Sequence, residues 1–126
     1  MNLEKVVFAF FIVLALTLNF GFYIGEIDNP AHHSVYELYA ALVVSLIATV
    51  LKLGDRTHLG AVLLATSLVA DLQLIAAALV WAYADNIVGG LTPHYMAIIV
   101  SLSGGALLAN LTSVVLLVAE TIAIRR

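Results

Sequence analysis

The sequence predicts an all-α integral membrane protein, with four transmembrane helices in one antiparallel bundle and both the N- and C-termini cytoplasmic. Three observations predict it. The composition is 63% hydrophobic and 10% charged with a mean hydropathy of +1.12, whereas soluble domains are roughly half apolar. The charges fall between four apolar runs of about 18 residues or more, long enough to cross a hydrocarbon core of roughly 30 Å. All five basic residues, Lys5, Lys52, Arg56, Arg125 and Arg126, lie on the N-terminus, the second connection and the C-terminus. With four spans those segments share one side, and the positive-inside rule makes that side cytoplasmic. The expected organisation is a single domain over residues 1–126 with spans 6–24, 35–53, 58–84 and 93–124. The expected location is a bacterial inner membrane.

The first run is preceded by Glu4 and Lys5 and followed by Asn19-Phe20-Gly21-Phe22-Tyr23 rather than by a small-residue cleavage site, so it reads as a retained helix. Thr17, Gly21 and Gly25 recur every four residues, a stripe on which another helix can approach closely. A polar connection from Glu26 to His33 leads into Ser34-Val35-Tyr36-Glu37. That tetrapeptide reads as a capping box, with Ser34 capping the third amide and Glu37 reaching back. The second helix carries a further small-residue stripe, Ala41, Ser45 and Thr49, assigned to packing on protein. Gly54 should end it, and Asp55-Arg56-Thr57 leaves room only for a tight turn. The fourth helix starts with Thr92 as N-cap and Pro93 at the first position. Its length calls for a tilt, a protrusion on the Arg125-Arg126 side, or a bend at Gly104-Gly105.

Asp71 lies at the centre of the third run, where an ionised carboxylate costs about 2.5 to 3.5 kcal/mol on insertion scales and rarely faces lipid. Ser67, one turn earlier on the same face, is an expected donor to it. Gln73 and Thr66 mark a second polar face, so the third helix should be interior. On the fourth helix Ser103, Ala106, Asn110, Ser113, Leu117 and Glu120 follow a three-then-four spacing along one seam. Asn110 falls level with Asp71, and a contact between the two is expected. Gly104 and Gly105, with Ser101, Ala109 and Ser113, allow close backbone approach.

The outer connections contain no Lys or Arg but hold Glu26, Asp28, Glu37 and Asp85 with His32, His33 and His94. They should form a diffuse acidic vestibule that concentrates cations, or serve only loop solubility. His32, His33, Glu37 and His94 are weak metal-ligand candidates, since no zinc-type spacing joins them, and no metal or other cofactor is expected. Tyr23, Tyr36, Tyr39, Trp81, Tyr83 and Tyr95 make an aromatic belt on the same side.

Several chemistries lack their residues. A net charge of −3 argues against nucleic acid as a partner, and the absence of cysteine removes disulfide and thiol chemistry. Haem ligation would need a histidine at depth, and a voltage sensor would need intramembrane arginines. Ser67 beside Asp71 has no neighbouring His or Lys base, so an enzyme is the third choice. The function expected is that of a monovalent-cation or proton channel or transport assembly, working as a homo-oligomer or as a subunit around Asp71. The alternative is a non-conducting accessory subunit packed against a larger membrane partner. The bland reading of Asp71, Ser67 and Asn110 is a structural hydrogen-bond cluster with Asp71 protonated.

Overall fold

The computed structural model describes residues 3–125, and side chains as far as residue 123; Arg126, counted above among the inner basic residues, lies outside them. Four helices form: α1 (Leu3–Tyr23), α2 (Val35–Lys52), α3 (His58–Tyr83) and α4 (Pro93–Arg125). All four are long and apolar enough to cross a membrane. Among the described residues there is no strand. Each helix packs mainly against two others, α1 on α2, α2 on α3, α3 on α4 and α4 on α1. Lys5 near the start of α1 lies 3.8 Å from Glu120 near the end of α4, while Asn19 and Ser103 meet toward their opposite ends. The outward surface is apolar, with Phe10, Val13, Val43, Leu72, Leu79 and Val115 exposed, as a bilayer-facing surface requires.

Local chemistry sets the helix ends. Gly54, at φ +89°, follows the Leu53 C-cap, as a glycine past the end of a helix does. Thr57 then caps α3 by accepting from the Gly60 amide at 2.9 Å. Thr92 Oγ1 accepts from the Tyr95 amide at 3.4 Å, so the cap read from the sequence is present on α4. α4 runs without interruption through Gly104 and Gly105. Two pieces were not foreseen. Asn29 accepts from the Ala31 amide and starts a 3-10 turn over Pro30–His32, and a π-helical turn over Ala84–Val88 extends α3 to Gly89 at φ +98°. The capping box also differs. Ser34 Oγ accepts from the Tyr36 amide at 3.2 Å, and the Glu37 carboxylate lies against Gly21 of α1. Only a residue without Cβ lets that carboxylate approach, so Gly21 of the α1 stripe serves contact with α2, while Thr17 is exposed and Gly25 lies against His32.

The turn between α2 and α3 is organised by Asp55. Its Oδ1 accepts from the Thr57 amide at 2.9 Å and the Thr57 hydroxyl at 2.8 Å, and Lys52 Nζ donates to Oδ2 at 3.3 Å. The Thr57 amide and hydroxyl, with Lys52, hold the carboxyl down to about 2 from its ordinary 3.8. A group depressed in the folded state stabilises it above the unfolded pKa and loses that contribution as pH falls through the folded pKa. The thermal midpoint of Asp55→Ala protein in detergent is therefore expected to lie below wild type at pH 6. The difference should close as pH drops from about 4 to about 2; a gap constant across that window would show that the carboxylate hydrogen bonds do not stabilise the turn.

The buried core is divided in two. Phe22, Leu38, Ala41, Ala70, Leu74, Ala77, Met96, Ile99, Val100 and Ala106 form one cluster, and Phe8, Ile12, Ala48 and Leu63 form the other. Between Ala41 and Ala48 stands Ser45, and between Leu63 and Ala70 stands Ser67. On α4, Asn110 and Ser113 follow Ala106 before Leu117, which packs on the second cluster. On α1, Ala15 and Asn19 lie between Ile12 and Phe22. Polar side chains thus form a layer across mid-bundle with apolar packing on both sides.

Candidate functional site

The polar layer centres on Asp71, which is 5% exposed. Its carboxylate is held from α2: Ser45 Oγ donates to Oδ1 at 2.7 Å, and Thr49 Oγ1 is hydrogen-bonded to Oδ2. Ser45 and Thr49 are one turn apart, so both hydroxyls reach the same side of α3. The stripe that the sequence offered only for packing therefore supplies the partners of Asp71. The same Thr49 hydroxyl lies 3.0 Å from the Ser45 carbonyl oxygen in its own helix.

The two contacts expected for Asp71 are not the ones it makes. Ser67 is fully buried, yet its Oγ has no hydrogen-bond partner among the described residues, and neither side-chain polar atom of Asn110 has one. Ser67 and Asp71 share a face of α3, but sequence spacing does not fix which neighbour the carboxylate turns to. Asp71 is turned toward α2, and the Ser45 and Thr49 hydroxyls bond both its oxygens. Asn110 lies on the fully buried seam read from the sequence, with Ser103, Ala106 and Ser113. Its depth follows from its neighbours: Thr66 Oγ1 is 2.5 Å from Ser113 Oγ, and Gln73 lies against Gly105. Those two pairs bracket Asn110 opposite the turn between Ser67 and Asp71.

The second polar face of α3, Thr66 and Gln73, faces α4, so both faces are turned to protein. Gln73 Oε1 has no partner among the described residues. Gly105 gives it room, and Gly104 likewise makes room for the Tyr23 ring. Asn19 Oδ1 accepts from Ser103 Oγ at 2.7 Å, a link between α1 and α4 that spacing alone did not reveal, and Asn19 Nδ2 is unpartnered among the described residues.

The outer groups take different places. Glu26, Asp28, His32, Asp85 and His94 are exposed, and Glu37 is half-buried. His33 is buried, with Nδ1 2.5 Å from the Phe22 carbonyl oxygen and Nε2 2.7 Å from that of Glu26. His32 Nδ1 accepts from the Glu26 amide at 2.8 Å, and its Cβ fills the space beside Gly25, whose φ of +108° suits glycine. Both ring nitrogens of His33 are thus occupied by backbone. Among the described residues no three of His, Asp and Glu gather into a metal-binding group.

Residues 32–121 match the model of a family of unknown function, DUF6394. The chain belongs to DUF6394. No curated protein and no solved structure matches it. The stretch matched to DUF6394 holds α2, α3 and most of α4, and with them Ser45, Thr49, Ser67, Asp71, Gln73 and Asn110. Asn19, Gly21, Gly25, Glu26 and Asp28 precede it.

Proposed function

We propose that this DUF6394 protein handles a monovalent cation or a proton across an inner membrane, as a homo-oligomer or as a subunit of a larger assembly. The helices run antiparallel with both termini cytoplasmic, and the chain is a transport component rather than an enzyme. The observation that carries this reading is Asp71, a carboxylate at mid-membrane depth bonded by two neutral hydroxyls. An intramembrane acid whose charge is not neutralised by Lys or Arg is a site for a mobile cation. The flanking apolar clusters make the arrangement a closed one, in which the site is shielded from both sides until helices part. At the end where Lys5 and Glu120 meet lies a cavity of about 70 Å³ lined by Lys5, Phe8, Lys52, Asp55, Leu63 and Glu120.

A second reading, the accessory subunit, is favoured by one feature. Between α1 and α4 runs an open groove of about 480 Å³ lined by Leu16, Thr17, Phe20, Leu107 and Leu111, suited to a partner's membrane helix. Reconstitution separates the two. Liposomes containing purified protein are expected to pass protons or monovalent cations, with Asp71→Asn lowering the flux at least about tenfold, the loss of one charged hydrogen-bonding centre, while elution on size exclusion is unchanged. Inert liposomes, together with recovery of a stoichiometric partner from native membranes, would replace the transport reading by the accessory one.

A further inference from the structure

We infer that the ion Asp71 carries is a proton, loaded at Oδ2 and controlled by the hydroxyl of Thr49; this rests on the transport reading above. Thr49 Oγ1 has two acceptors within reach, the Ser45 carbonyl oxygen at 3.0 Å and Asp71 Oδ2, but only one proton to give. Two hydrogen-bond arrangements therefore share one set of heavy-atom positions. With Asp71 ionised, Ser45 donates to Oδ1 and Thr49 donates to Oδ2. With Asp71 protonated, Ser45 still donates to Oδ1, the new O–H at Oδ2 donates to Thr49 Oγ1, and the Thr49 proton rotates onto the Ser45 carbonyl. Every polar atom of the cluster is satisfied in both. Loading thus forms the O–H bond at Asp71 Oδ2 as an O–H bond of a hydronium ion breaks to leave water, release reverses both, and no other covalent bond changes.

The neighbouring elements fit a proton better than a larger ion. Ser67 Oγ and both polar atoms of Asn110 are buried at about the level of Asp71, without hydrogen-bond partners among the described residues. The other groups facing this layer are neutral: Ile12 and Ala15 on α1, Ala48 on α2, Ala70 and Leu74 on α3, and Ala106 on α4. The nearest titratable groups are Lys52, 3.3 Å from Asp55, and, farther along, Lys5 and Glu120 at the 70 Å³ cavity. None of these is bonded to Asp71 in the hydrogen bonds above, so its proton responds to the two hydroxyls first.

The test combines flux with infrared spectroscopy on the full chain in liposomes. Proton flux driven by a pH step is expected to exceed sodium or potassium flux. Thr49→Val should lower it about tenfold or more, as loss of a hydrogen bond to a charged group implies, and Thr49→Ser should restore it to within about threefold. The carboxylic-acid C=O stretch that appears on acidification should vanish in Asp71→Asn and move to higher frequency in Thr49→Val, because the acid O–H loses its Thr49 acceptor while Ser45 still donates to Oδ1. Asp71-dependent flux of sodium or potassium equal to that of protons would overturn the proton assignment alone. A band that ignores Thr49→Val would do the same. No flux of any cation would overturn the transport reading, and the inference with it.

Discussion

Replacing Ser45 by Ala and Thr49 by Val together is expected to destabilise the protein at pH 8 by about 3 to 5 kcal/mol, the cost of stripping partners from a buried charge. Both oxygens of Asp71 would lose their donors at once, since Ser45 bonds Oδ1 and Thr49 bonds Oδ2. Each single variant leaves one donor and should cost less than half of that. The loss comes from Asp71 rather than from packing, because Ala and Val keep a similar fit between α2 and α3. Adding Asp71→Leu to the double variant is therefore expected to recover most of the stability by removing the group left unsatisfied. Acid should act in the same direction. Once Asp71 is protonated the penalty falls to that of a neutral buried polar group, about 1 to 3 kcal/mol. Chemical denaturation in detergent at pH 8 and at acid pH measures both. Equal losses at the two pH values, with no recovery on Asp71→Leu, would show that the hydroxyls support packing and not the carboxylate.

Which residues were legible in the sequence follows from the range of the information. Single-helix periodicity reaches the buried face: of the seam Ser103, Ala106, Asn110, Ser113, Leu117 and Glu120 on α4, the first four are buried and the last two half-buried. The two polar faces of α3 were legible for the same reason. Caps are local too, which is why Thr92 and Gly54 stand where short motifs put them. The partner of a side chain depends on the rotation of one helix relative to the next, and that is fixed by packing contacts far apart in sequence. Ser45 and Thr49 were thus recognised as small residues on a contact face, while their role as donors to Asp71 depends on the phase between α2 and α3. Residue type gave the remaining signal: on a stripe Ala41, Ser45, Thr49, two of three members carry a hydroxyl, one more polar group each than close approach requires.

Removing the imidazole of His33 is expected to cost about 2 to 4 kcal/mol, the sum of two hydrogen bonds to buried acceptors and the packing of the ring. In sequence it is one of two adjacent histidines in a polar connection, and nothing local separates them. In the fold they differ sharply, His32 exposed and His33 with 4% exposure, its ring 5.4 Å from that of Phe22. Phe22 belongs to the last turn of α1, whose carbonyls have no partner within the helix, and His33 Nδ1 lies 2.5 Å from one of them. Nε2 lies 2.7 Å from the Glu26 carbonyl two residues beyond Ile24. Both ring nitrogens therefore lie within hydrogen-bond distance of backbone carbonyl oxygens. His33 ties the end of α1 to the start of α2, and beside it the Glu37 carboxylate rests against Gly21. His33→Ala should lower the denaturation midpoint and expose residues 24–33 to protease, and His33→Gln, which keeps donors at similar reach, should recover about half of the loss. His32→Ala is the control, expected to change stability by less than about 1 kcal/mol for an exposed ring. If His32→Ala proved the more damaging of the two, the loop would be held by the bond from the Glu26 amide to His32 and the buried ring would be only filling space.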